Sequence, residues 1–164
     1  MECKADALLL RAVDYGENDR IATRLTAERG KISAALKGVR KAGAKLRFAA
    51  QPFCFAEYVL AARGTRCTVT AASLHDAFYA LCEDVGRYYA AAVVTDACGK
   101  LALEGMQAGA LLVAAITALE GLCSAAPVVL FEPLTSALSS VQYSLNSQLP
   151  HLLSNAPSSS LHSP

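Results

Sequence analysis

The pattern of hydrophobic and polar positions changes character twice along the chain. Up to residue 75 the apolar runs are short and separated by turn residues. Ala7–Val13 is an apolar run broken only by Arg11, and it predicts a strand. Asp14 to Asp19 (Asp-Tyr-Gly-Glu-Asn-Asp) is turn chemistry, because Gly, Asn and Asp tolerate tight or left-handed backbone. Arg20–Thr26 then alternates polar and apolar residues, which predicts a half-buried strand and closes a hairpin. After a turn centred on Gly30, Lys31–Val39 predicts a third strand. It places Ile32, Ala34 and Leu36 on one face and Lys31, Ser33, Ala35 and Lys37 on the other. Gly38–Arg47 reads as a basic loop, Phe53–Ala61 as an aromatic-rich strand, and Cys67–Ala71 as a short β-branched one.

The texture shifts at Ser73. Ser73, or the pair His75-Asp76, is suited to cap a helix. Ala77–Leu81 leads into Glu83–Cys98, where Val85, Tyr88, Tyr89, Ala92 and Val93 recur at helical spacing. Gly109–Leu122 predicts a second, more apolar helix. A further shift begins at Ser124, where Ser and Pro become frequent and Glu132 is the one charged side chain. Some structure is expected over Val128–Phe131 and Ala137–Leu149, and disorder over the last dozen residues. The expected fold class is α+β: an N-terminal OB-fold β-barrel over 1–75, with a sandwich fragment as the alternative. A partial α-helical domain follows over 76–123, and then a Ser/Pro-rich tail over 124–164.

Charge sharpens this division. Of the 15 Lys and Arg, 13 lie in residues 1–66, alongside only 7 of the 14 Asp and Glu. A net charge of +1 for the chain conceals a basic first part and an acidic remainder, which points to an acidic partner for the first part. The densest segment carries Arg29, Lys31, Lys37, Arg40, Lys41, Lys45 and Arg47 with no acid between them. Such a run can follow a phosphate backbone, because neutralising phosphates releases condensed counterions. Phe48, Phe53, Phe55 and Tyr58 lie close in sequence and offer either stacking surfaces for bases or core packing.

Other chemistry finds less support. Asp14, Glu17 and Asp19 share one turn without the register of a calcium loop, so a solvated turn is favoured over a metal-dependent enzyme. His75, His151 and His162 are scattered, and none stands at zinc-ligand spacing from a cysteine. Neither a phosphate-binding Gly loop nor a nucleophile elbow is present. The expectation is therefore no enzyme, no catalytic residue, no metal and no cofactor. The six cysteines form no C-x-x-C pair, and Met1-Glu2-Cys3-Lys4 does not open an apolar leader. Free, mostly buried thiols in a reducing cytoplasm are expected, with Cys82 and Cys98 facing a common core. The apolar stretch Gly105–Leu119 is short for a bilayer, so no membrane association is expected.

Three blocks carry a family resemblance. They are A-L-L-L-R-A-V-D-Y-G-E-N-D-R-I (Ala7 to Ile21), T-A-E-R-G-K-I-S-A-A-L-K-G-V-R-K (Thr26 to Lys41) and Q-P-F (Gln51 to Phe53). In this order and spacing they resemble the opening of the RecO recombination mediators. The resemblance implies an OB fold followed by a helical domain, and binding of single- and double-stranded DNA with strand annealing. It also implies RecR, RecA and the tail of the single-stranded DNA-binding protein as partners, in a cytoplasmic, nucleoid-associated setting. Lys31, Lys37, Arg40 and Lys41 match basic positions of the family's DNA-binding surface. Lys45 and Arg47 extend that surface, and Arg11, Arg20 and Arg24 are secondary candidates. Members of the family are usually longer, and many carry zinc-binding C-x-x-C pairs that are missing here. The expectation is a truncated or frame-altered member. The alternative function is a protein-interaction module, in which the basic barrel and the helices bind an acidic protein tail.

Overall fold

The structure is a computed structural model that describes residues 2–64, 66–125, 136, 138–143 and 146–147. Five strands come first: β1 (Glu2–Tyr15), β2 (Asp19–Thr26), β3 (Gly30–Leu36), β4 (Phe55–Arg63) and β5 (Arg66–Asp76). They close into a barrel in the order β1-β2-β3-β5-β4, and β4 returns to β1. All the pairings are antiparallel except β3 with β5, which meet in parallel at Ala35 and Thr68. A 3₁₀ turn at Phe48–Ala50 lies between β3 and β4. Helices α1 (Tyr79–Glu83), α2 (Val85–Leu101) and α3 (Gly109–Ser124) follow the barrel.

The expected OB-type barrel followed by helices is therefore present; β1 and β5 are longer than the apolar runs suggested, β3 stops at Leu36 rather than Val39, and β4 begins at Phe55 rather than Phe53. β1 extends to Glu2 and Tyr15 because it serves two neighbours. Glu2–Leu8 pairs with β4, and Ala7–Tyr15 pairs with β2. A register shift between Leu9 and Arg11 lets the strand bend from one partner to the other, as barrel closure requires. β5 runs on through Ser73, His75 and Asp76, paired with β4, so neither Ser73 nor His75 caps a helix. Asp76 Oδ1 instead accepts from the Phe78 amide at 2.7 Å in the turn that follows. The side-chain cap of the long helix α2 is Asp84, whose Oδ1 accepts from Arg87 N at 2.8 Å.

Two hydrophobic cores lie back to back. Inside the barrel, Ala7, Ala22, Ala34 and Ala56 are small, and the space they leave is filled by Leu9, Leu36, Leu60, Tyr58 and the stem of Arg24. Outside it, Leu8, Leu25 and Phe53 pack against Leu81, Val94, Cys98, Leu111, Leu119 and Leu122 of the helices. The face of α2 that is buried is Ala90, Ala91, Val94, Thr95 and Cys98. The row expected from periodicity was the other one, and Val85, Tyr89 and Val93 are exposed. Both faces of α2 are apolar, so spacing alone cannot choose between them. The Ala-rich face lies against α3 because small side chains let helix axes approach closely.

The α2–α3 connection binds the helices to the β2–β3 turn through main-chain bonds. Leu103 O accepts from Lys31 N (3.2 Å), Arg29 O from Gly105 N (2.9 Å) and Ala27 O from Ala108 N (2.7 Å). All six cysteines are free. Cys54 and Cys98 are buried, and Cys82 is exposed rather than sharing a core with Cys98. Burial pushes the Cys98 thiol up to about 11 from an ordinary 9.0. A thiol whose folded pKa is raised favours the folded state below the unfolded pKa and ceases to do so as pH rises through the folded one. Stability should thus fall between pH 9 and about 11, by up to about 3 kcal/mol from this group. Urea titrations at pH 8 and 10.5 on wild type and Cys98→Ala should show a smaller loss in the variant.

The tail expectations over Val128–Phe131 and the last dozen residues fall outside the described residues, as does part of Ala137–Leu149. Val141 is buried in the outer core. Among the described residues no helix is long and apolar enough to cross a membrane.

Candidate nucleic-acid interface

The motif residues that open the chain turn out to build a clamp. Asp19 Oδ1 accepts from the Gly38 amide at 2.7 Å, which fixes the turn leaving β3. Asn18 O accepts from Arg40 N at 3.0 Å. Asp14 holds two arginines, Arg20 Nε at 2.7 Å and Arg40 Nη1 at 3.4 Å. The β1–β2 turn is thereby joined to the start of the loop after β3. This accounts for the co-occurrence of D-Y-G-E-N-D-R and K-G-V-R in one sequence: each block supplies half of the clamp. Asp14 and Asp19 are engaged with these donors, and among the described residues no group of three or more His, Cys, Asp or Glu could hold a metal ion.

Beyond the clamp the loop projects its cations outward. Lys37, Lys41, Lys45 and Arg47 are exposed, and their side chains have no acid or acceptor partner among the described residues. Arg40 is exposed too, although Asp14 and the Gly16 carbonyl hold its guanidinium. Arg11, on the outer face of β1, is exposed and unpaired among the described residues. Arg20 is half-buried, bonded to Asp14 and to Ala50 O at 3.4 Å. Lys31 is half-buried and donates from Nζ to Gly99 O at 3.0 Å, bridging β3 to α2.

Arg24 leaves the set of surface candidates. It is 1% exposed, inside the barrel, with its guanidinium 4.4 Å from the centre of the Tyr58 ring. Reading β2 as polar-out placed it on the wrong face. The outer face of β2 is covered by the helices and therefore carries Leu25, while Ala22, Arg24 and Thr26 point inward. The aromatics need the same correction. Tyr58 and Phe53 are buried, so neither offers a stacking surface, and Phe55 is half-buried 5.0 Å from the His75 ring. Phe48 is half-buried against the barrel core. His75 sits in β5 with Nε2 2.7 Å from Asp6 Oδ1, and His151 and His162 lie outside the described residues.

A groove of about 730 Å³ separates the outer face of β1–β3 from α2. Its floor includes Arg11, Thr23 and Ser33, which face one another in a row across the three strands. Its far wall includes Tyr88 and Lys100. Sequence reading missed these two. The one signal was that Lys100 and Arg87 are the only cations after residue 66.

Residues 1–78 match the family described as recombination protein O, N terminal. The DNA repair protein RecO of Heliobacterium modesticaldum is 47% identical over 85 residues, covering 52% of this chain and 31% of the relative. That of Desulfitobacterium hafniense is 40% identical over 92 residues, covering 56% of this chain and 34% of the relative. That of Myxococcus xanthus is 35% identical over 97 residues, covering 58% and 40%. The chain thus spans between 31% and 40% of the length of these curated relatives. A closed five-strand barrel and the match over residues 1–78 together make the N-terminal part of this chain similar to the recombination protein O N-terminal family.

Proposed function

We propose that this chain is a non-enzymatic DNA-binding protein of repair and recombination, which captures phosphates on the loop from Lys37 to Arg47. The observation that carries this reading is the loop itself. Lys37, Lys41, Lys45 and Arg47 are exposed, unpaired among the described residues and uninterrupted by acid, and the Asp14–Arg40 clamp fixes the base of the loop. Contacts of this type recognise backbone charge rather than sequence, so single- and double-stranded DNA both bind. Annealing follows where two strands are held with their mutual repulsion screened. Loading of RecA, cooperation with RecR and engagement of the single-stranded DNA-binding protein's tail are the partner activities that fit this role. The setting that fits it is the cytoplasm, at the nucleoid.

Fluorescence anisotropy of a labelled oligonucleotide at several salt concentrations tests this. The expected log–log slope is roughly −0.7 per neutralised phosphate on single strands. Lys37→Glu, Lys41→Glu and Lys45→Glu combined should weaken binding on the order of a hundredfold and flatten the slope. The protein-interaction reading rests on Val85, Tyr89 and Val93, exposed by 73%, 67% and 46% along one side of α2. It gains if the triple variant keeps its DNA affinity while losing an acidic peptide.

A further inference from the structure

We infer that the groove between the barrel and α2 is a second nucleic-acid site, taking a few nucleotides of single strand and excluding duplex. The inference rests on the DNA-binding reading above and adds a separate place on the molecule. The loop from Lys37 to Arg47 carries its cations fully on the surface, so it accepts either form of DNA. The groove is bounded on both sides, by the outer face of β1–β3 and by α2. At about 730 Å³ it has the capacity of a ligand cleft, which suits a flexible strand but not a base-paired helix.

Its chemistry is that of a strand-binding site. Four cations line it from four elements, Arg11, Arg20, Lys31 and Lys100; Asp96 is the one carboxylate in the lining, and Asp14 holds Arg20 from outside it at 2.7 Å. Arg11 is exposed and has no partner among the described residues. Lys100 is held by Asp96 at 2.6 Å, but both side chains are well exposed, so a phosphate can displace the carboxylate. Thr23 Oγ1 and Ser33 Oγ lie 3.3 Å apart on the floor and can each turn toward a phosphate or sugar oxygen. On the wall, Tyr88 is 38% exposed, and Phe53 braces its ring edge to face at 5.3 Å. A braced, partly open ring is a stacking platform for a base, which the buried barrel aromatics cannot be. Lys31 Nζ on Gly99 O holds the wall at its distance from the floor.

The test compares two variants on two ligands, a labelled oligo-thymidine and a labelled duplex of equal length. Arg11→Ala with Lys100→Ala should weaken single-strand binding on the order of tenfold and leave duplex binding within about twofold. The Lys37, Lys41 and Lys45 reversal should weaken both. Ultraviolet cross-linking of 5-iododeoxyuridine oligonucleotide to the wild-type chain, mapped by mass spectrometry, should label Tyr88, and it needs no variant to fold. Equal loss on both ligands, or no loss on either, together with label on Tyr15 or Tyr89 instead, would overturn the groove while leaving the loop reading in place. A wild-type chain that binds neither ligand at low salt would overturn both.

Discussion

Gly30→Ala is expected to destabilise the protein by about 3 kcal/mol or more, lowering the thermal midpoint by about 10 °C. Two effects add at this position. Gly30 has φ of +61°, where a Cβ costs about 1–2 kcal/mol. A Cβ there would also stand 2.1 Å from Leu103 O and 2.6 Å from Met106 O. Both contacts are main-chain atoms of the α2–α3 connection, so no side chain can swing aside. Relief requires that connection to withdraw, which breaks the bonds from Lys31 N to Leu103 O and from Gly105 N to Arg29 O. Gly105→Ala is the internal control. Gly105 has φ of +76° with nothing within 4 Å of its would-be Cβ, so it carries the conformational cost alone. The difference between the two midpoints isolates the clash. Equal midpoints would mean that the helices are not anchored through this turn. Hydrogen exchange should meanwhile speed up at the amides of Lys31, Gly105 and Ala108 in Gly30→Ala.

This anchor also shows where sequence reading succeeds and where it stops. Gly30 was legible as a turn at positive φ, because the chemistry of a tight turn is local. Its second role was not, because Leu103 and Met106 are more than seventy residues away and carry no motif. The same division runs through the barrel. All five strands were readable from apolar runs bounded by turn residues. Their ends were not, since Glu2–Asp6 and Ser73–Asp76 are held by pairing to β4 rather than by their own burial. The candidate cations split likewise. Lys41, Lys45 and Arg47 were expected on an exposed loop and are there, while Lys37, expected on the third strand, joins that loop because β3 stops at Leu36. Arg20 and Arg40 were identified as charges, but Asp14 holds both, and only the folded clamp reveals it. On α2, two apolar faces compete, and the choice is made by α3, a partner that local periodicity cannot see. Tyr88 and Lys100 enter a site only because α2 lies across the barrel.

Arg24 and Tyr58 give the second large effect. Tyr58→Ala should cost about 4 kcal/mol, Tyr58→Phe less than about 1, and Arg24→Met should be neutral or stabilising. The core cluster of the barrel is rich in alanine (Ala7, Ala22, Ala34, Ala49, Ala50 and Ala56), so deleting the Tyr58 ring leaves a void that alanines cannot fill. It also removes the face on which the guanidinium lies, 4.4 Å from the ring centre. The Tyr58 hydroxyl contributes less, donating only to Cys54 Sγ at 3.6 Å. Arg24 itself is poorly satisfied. Nη1 donates to Ala22 O at 3.2 Å, while Nε and Nη2 are buried without a partner. Burial accordingly lowers the guanidinium pKa and raises that of the Tyr58 phenol. A Met at position 24 keeps the apolar stem, continues to pack on the ring and removes a desolvated charge. Urea unfolding of the three variants measures these differences directly. A loss for Arg24→Met as large as that for Tyr58→Ala would mean that the guanidinium contributes more to the barrel than its one hydrogen bond and its ring contact. DNA affinity gives an independent check on the same residue: Arg24→Met should leave it unchanged, whereas Lys41→Glu should lower it, because only Lys41 can reach a phosphate from where the fold has placed it.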